Sequence, residues 1–212
     1  LASTKEISRF IRWTNENVPY RGLICHFYIL GKEKQFYTKA DYAHFNLLSD
    51  SQEWLIKGTP EHGISSLRGK RSQMPCLNSF EINAAFCEAL KKMAEQGNTR
   101  FNLGIIFNKR RLENLGYKVV SVVAIKRPPS PYPPPNHCHY YDWAYKRHSL
   151  WPFNKCSVTR VEIPMSGFIG SSIARIPRHV VMALLVRKDQ EEDIRELLVS
   201  KKFKETEIFS VL

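Results

Sequence analysis

With 43% hydrophobic and 12% aromatic residues in a chain of 212, there is enough apolar side chain for a real core. This excludes wholesale disorder and fits one large domain or two small ones. The net charge of +12, from 32 basic and 20 acidic residues, favours acidic partners, and no apolar run is long enough for a membrane-spanning helix.

Ser3-Thr4-Lys5-Glu6 has capping-box spacing, and Ile7, Phe10 and Ile11 follow on one face. A helix is therefore expected to open the chain and to stop at Asn15-Glu16-Asn17 and Pro19. Leu23–Leu30 reads as a strand halted by Gly31, with Gln35–Thr38 returning antiparallel to it. Residues 41–57 give a weak signal, for which a short helix around Gln52–Lys57 is the expectation. Gly58–Gln73 reads as a polar, basic loop.

Asn78-Ser79-Phe80-Glu81 repeats the capping-box spacing ahead of Ile82, Ala85, Phe86, Ala89, Leu90 and Met93. Those apolar intervals, with Gly97 just beyond, predict a second helix. Two strands follow, Phe101–Phe107 and Tyr117–Ile125, joined by the short basic segment 108–114. The run 128–135, Pro-Pro-Ser-Pro-Tyr-Pro-Pro-Pro, forces extended, donor-poor backbone. It reads as a stiff loop, with SH3- or WW-type protein docking weighed against a plain spacer. Val180–Val186 reads as a buried strand, Asp189 with Glu192 as the cap of a helix carrying Ile194, Leu197 and Leu198, and Glu207–Leu212 as a closing strand.

These elements predict a single α+β domain over residues 1–212. Its mixed, mostly antiparallel sheet is packed by two or three helices and ends in a C-terminal strand–helix–strand unit.

Charge is unevenly distributed. Residues 100–180 supply +10, from 13 basic and 3 acidic side chains. Phe101, Phe107, Tyr117, Tyr132, Tyr140, Tyr141, Trp143, Tyr145, Trp151 and Phe153 run through the same stretch. Cations neutralise phosphates and ring faces stack on unpaired bases, so the mixture points to RNA or single-stranded DNA. The expected surface comprises Arg68, Lys70 and Arg71 of a basic loop with Lys109, Arg110, Arg111, Lys126, Arg127, Lys146 and Arg147; Tyr140, Tyr141, Trp143 and Tyr145 are the candidate stackers. Lys109–Arg111 and Lys126-Arg127 sit at the ends of two strands expected to be adjacent, which would bring them to one edge.

The densest reactive cluster is the stretch 136–148, with Cys156 beyond it. His137, His139, His148 and Cys156 are donor types that zinc accepts, but paired Cys-x-x-Cys spacing is absent and the metal-free loop is favoured; metal and cofactor stay open. As a metal-free nuclease, His139 or His148 would act as general acid/base while Lys146 or Arg147 stabilises phosphate charge.

Asn136-His137-Cys138-His139 resembles the His-hydrophobic-His element of HUH endonucleases. In that family two histidines hold a divalent metal and a downstream tyrosine attacks the DNA backbone; here Tyr141 and Tyr145 follow closely. Tyr20-Arg21-Gly22 and Glu205-Thr206-Glu207 look like the first and last signatures of ADP-ribosyltransferases, with Ser171-Ser172 between them. That resemblance implies an NAD-dependent enzyme in which Arg21 holds the NAD phosphate and Glu207 orients the ribose. Cys25 and His26 should face opposite sides of a strand, and His44, His62 and His179 have no recognisable partners.

The cysteines, Cys25, Cys76, Cys87, Cys138 and Cys156, are scattered and odd in number, which argues for reduced thiols in an intracellular compartment. The first residues show no secretory h-region, and the missing initiator Met reads as a piece of a longer protein.

Overall fold

A computed structural model describes residues 3–29, 45–57, 59–62, 73–97, 101–122, 152–162, 168–169, 173–203 and 205–212. Helix α1 (Thr4–Arg21) opens on Ser3, whose Oγ accepts the Glu6 N–H at 3.2 Å. It runs past the expected stop to Arg21. Asn17 bonds the Trp13 carbonyl at 2.8 Å instead of breaking the helix, and Pro19 falls within the last turn of α1. Gly22, at φ 60°, turns the chain into β1 (Leu23–Ile29).

The expected helix at 52–57 is a strand. β2 (Phe45–Leu48) and β3 (Glu53–Lys57) form a hairpin with Leu47 opposite Trp54. Trp54 and Ile56 are buried while Glu53 and Leu55 are half-buried, so the true period here is two. Part of the expected loop is also a strand: β4 (Thr59–His62) pairs with β5 (Gln73–Glu81).

β5 absorbs Asn78–Glu81, so that stretch caps no helix. The cap of α2 (Ala84–Gln96) is Asn83, whose Oδ1 accepts the Phe86 N–H at 3.1 Å, and Gly97 ends the helix at φ 61°. Phe86, Ala89, Leu90 and Met93 are buried as their spacing predicts, whereas Ala85 is exposed.

β6 (Phe101–Asn108) leads into a short helix, α3 (Lys109–Asn114), and then β7 (Lys118–Val122). A 3-10 turn (Phe153–Lys155) precedes β8 (Val158–Glu162), followed by β9 (Phe168–Ile169) and β10 (Ile173–Pro177). Another 3-10 turn (Arg178–Val180) enters β11 (Val181–Val186); α4 (Glu191–Ser200) and β12 (Glu207–Phe209) close the chain. Asp189 is not the α4 cap. It sits in a preceding 3-10 turn, where Arg187 Nε holds it at 2.9 Å.

The large sheet has eight strands in the order β12-β11-β6-β1-β5-β8-β7, with β4 also on β5; β2-β3-β10-β9 form a smaller one. β11 and β12 pair in parallel and the other pairings are antiparallel. The fold is therefore α+β with a mixed, mostly antiparallel sheet and a C-terminal strand–helix–strand unit, carrying four α-helices among the described residues. No described helix is long and apolar enough to cross a membrane.

Both faces of the large sheet are covered. Against one, α1 and α2 bring Ile7, Phe10, Phe86 and Leu90 onto Cys25, Phe27, Ile106 and Leu185. Against the other lie Trp54, Ile56 and Ile176 of the small sheet, Leu112 of α3, and Ile194 and Leu198 of α4. Cys25 and His26 do face opposite sides, as strand alternation requires: Cys25 joins the first core, and His26 meets Tyr28 edge-on at 4.9 Å.

Glu191 ties α4 to the chain end. It accepts from Ser210 Oγ, and it accepts at 2.8 Å from both Lys188 and Arg195; these bonds hold its carboxyl at a pKa of about 2. A lowered folded-state pKa stabilises the fold above the unfolded value and loses that contribution as pH falls toward the folded one. Stability is thus expected to drop between about pH 4.5 and pH 2, and Glu191→Gln to flatten that slope, as read by urea midpoints across the range.

Candidate nucleic-acid interface

The strand registers bring several chain turns to one end of the large sheet. β1, β8, β11 and β12 begin there, while β5, β6 and β7 end there, as Leu23↔Asn108, Ile24↔Glu81, Phe80↔Val158, Val122↔Val158 and Val181↔Phe107 show. α3 occupies this end. Asn108 caps it by accepting the Arg111 N–H at 3.0 Å, and the Lys109 N–H donates to the Gly22 carbonyl at 3.0 Å, pinning it to the α1–β1 junction. Leu112 is fully buried beneath it. With Leu112 as the anchor, Arg110 lies exposed and Lys109 and Arg111 half-exposed.

One neighbouring turn is stitched to α3, and a second is stitched to the first. Arg111 Nη1 donates to the His179 carbonyl and lies 3.7 Å from Met182 Sδ. Arg178 Nη1 reaches the Lys202 carbonyl just beyond α4 at 3.4 Å, and Nη2 lies 3.6 Å from Glu205. Among the described residues no carboxylate pairs with Lys109, Arg110, Arg111, Lys201 or Lys202.

The adjacency expected for the strands bearing Lys109–Arg111 and Lys126-Arg127 does not occur. β1, β5 and β8 stand between β6 and β7, which puts them about 19 Å apart along the sheet. The two strands nevertheless end on the same side of it. Consecutive strands are often neighbours, but α3 carries the chain across the sheet face and so breaks that rule. Arg68, Lys70, Arg71, Lys126, Arg127, His137, His139, Tyr140, Tyr141, Trp143, Tyr145, Lys146, Arg147 and His148 lie outside the described residues, as do Gln35–Thr38, the proline run 128–135 and Ser171-Ser172.

Four of the aromatics in the basic stretch are core. Phe101, Phe107, Tyr117 and Phe153 are sealed, Phe101 stacking on Phe27 at 4.2 Å and Tyr117 donating its hydroxyl to the Arg175 carbonyl at 2.8 Å. They are unavailable to bases. Arg160, in the same stretch, is also fully buried, and Arg175 is committed to Glu53.

Cys156 is buried next to Phe153, and burial together with Cys87 pushes its thiol up to about 12. A protonated, buried thiol packs as a small apolar group. Among the described residues no three His, Cys, Asp or Glu side chains converge as a metal site. Arg21 ends α1 at the α3 end of the sheet, but β6 and β11 separate β1 from β12, where Glu207 lies 3.7 Å from Arg9. Arg9 also pairs with Glu6 at 3.0 Å and stacks 4.4 Å from the Phe209 ring, so Glu207 belongs to a clip holding α1 on β12.

A polar band across β1, β5 and β8 was not legible in the sequence. His26 Nδ1 lies 2.6 Å from the Asn78 carbonyl, which can only accept, so Nδ1 carries the proton. Ser79 and Thr159 are opposite one another and fully buried, and Thr159 Oγ1 donates to Glu81 at 3.3 Å. On the other face of β8, Glu162 is 5% exposed and reaches Lys118 at 3.7 Å. Val158–Glu162 reads Val-Thr-Arg-Val-Glu, with three polar or charged residues of five, yet all five are buried. Arg178, Lys201 and Lys202 were equally invisible, lying at the ends of elements that only the fold brings together. No family model, curated protein or solved structure matches this chain.

Proposed function

We propose that this protein binds nucleic acid, using the α3 cations as a phosphate-contacting surface and preferring RNA or single-stranded DNA over duplex. The observation that carries the reading is the placement of Lys109 and Arg110, accessible and without a described carboxylate partner, at an end of the sheet where Arg111 and Arg178 add charge. A charge excess of +10 in residues 100–180 supports a polyanionic partner. The single-strand preference rests on Tyr140, Tyr141, Trp143 and Tyr145 of the sequence, since Phe101, Phe107, Tyr117 and Phe153 of that stretch are core.

Anisotropy titrations with labelled single-stranded RNA, single-stranded DNA and duplex, at several salt concentrations, test it. Lys109→Glu with Arg110→Glu is expected to weaken binding and to make the log–log salt slope shallower by about 1.4, two single-strand phosphate contacts. Unchanged affinity and slope would remove α3 from the surface. The same incubation with Mg²⁺ or Mn²⁺ reads cleavage, and a product lost in His139→Ala would add a nuclease activity to this reading.

A further inference from the structure

Resting on the nucleic-acid reading, we infer that the binding surface extends beyond α3 as one strip through Arg178 to Lys201 and Lys202, following the phosphates of a single-stranded chain. The three elements are contiguous. Arg111 donates to the His179 carbonyl and Arg178 donates to the Lys202 carbonyl at 3.4 Å, so guanidinium groups bridge α3 to the 178–180 turn and that turn to the end of α4. The strands beneath are neighbours as well: β6 lies beside β11 and β11 beside β12, giving a footing about 10 Å wide. Arg178 is fixed from below, because its N–H donates to the Gln52 carbonyl at 2.9 Å.

A guanidinium has five N–H donors, and a carbonyl bond occupies only a small part of that fork. Arg111 and Arg178 can therefore hold the strip together and still donate to phosphate oxygens. The acid nearest the strip does not block it. Glu205 is 74% exposed and meets an Arg178 side chain that is 38% exposed, at 3.6 Å. Such a surface pair is weak and salt-screened, and a phosphate can replace the carboxylate. Glu113 of α3 and Asp50 of the β2–β3 turn are the exposed acids of the neighbouring segments, and neither pairs with a cation of the strip among the described residues. The partner chemistry is a chain of phosphodiesters, since successive monoanions match cations set along a line better than one compact anion does.

The test compares Lys201→Glu with Lys202→Glu in one variant, Lys201→Glu alone, and Glu205→Gln, using a labelled single-stranded RNA 12-mer and a polyglutamate control. Lys202 sits at φ 64°, so far-UV circular dichroism and a urea midpoint first establish that the double variant folds, and the single variant carries the test if it does not. The expected result is weaker RNA binding with a salt slope about 1.4 shallower in the double variant, about 0.7 shallower in the single variant, and tighter binding in Glu205→Gln. Unchanged affinity and slope in the lysine variants, while Lys109→Glu with Arg110→Glu does weaken binding, would end the strip at α3 and leave the nucleic-acid reading standing. Failure of the unmodified protein to bind any nucleic acid, or equal binding to polyglutamate, would overturn the reading itself.

Discussion

Phe86→Ala is expected to lower the unfolding free energy by about 3–5 kcal/mol, the range for truncating a fully buried aromatic side chain. The ring is completely inaccessible and lies in an aromatic cluster that joins three parts of the fold. Its centroid is 5.9 Å from Phe27 in the sheet, 5.3 Å from Phe153 in the turn before β8 and 6.4 Å from Phe10 in α1. Truncation removes hydrophobic burial from all three contacts at once and leaves a space between rigid rings that cannot collapse into it. Chemical denaturation should show a lower midpoint with an unchanged slope. A loss below about 1 kcal/mol would mean that α2 does not close this core. Phe86→Leu keeps most of the volume and is expected to cost roughly half as much or less.

Gly104→Ala should destabilise by about 1–3 kcal/mol, the usual range for overpacking, although Gly→Ala ordinarily gains stability from a less flexible unfolded chain. Gly104 is central in β6, between β1 and β11. A Cβ there would lie 2.8 Å from Phe27 Cε1, 3.0 Å from Cys25 Sγ and 3.1 Å from Leu185 Cβ. None of these is the loose end of a flexible chain, and Leu185 Cβ moves only with its strand. The unfolded-state gain of about 0.4–1 kcal/mol is therefore outweighed. The clash is specific, so the cost of Gly104→Ala should shrink in a Phe27→Leu background. Additive losses in the double variant would locate the strain elsewhere.

Sequence patterning was strongest where one element's own periodicity decides its state. The 3.6-residue spacing of Phe86, Ala89, Leu90 and Met93 identified α2, and Gly97 its end. The short apolar runs of β1, β6 and β11 were likewise legible, because strands buried on both faces read as continuous hydrophobic stretches. Capping spacing alone was ambiguous. It located the start of α1 at Ser3 but failed at Asn78–Glu81, where pairing with β1 and β8 holds the same residue types in a sheet. β3 was missed because five residues carry too little period to separate strand from helix, and its partners β2 and β10 decide the matter.

Composition and order of residues by themselves determined that this chain has a core, that it is α+β with a strand–helix–strand ending, and that its positive charge gathers between residues 100 and 180. Those are sums and local periods, and each is complete within a short stretch of chain. Tertiary structure alone decided which cations are neighbours and which rings reach solvent. Strand order separates β6 from β7 yet lets Arg111, Arg178 and Lys202 meet at one end, and the two covered sheet faces bury Phe101, Phe107, Tyr117, Phe153 and Arg160. Such contacts join residues far apart in the chain, as Arg111 and His179 are at 68 positions, and no local preference acts over that distance.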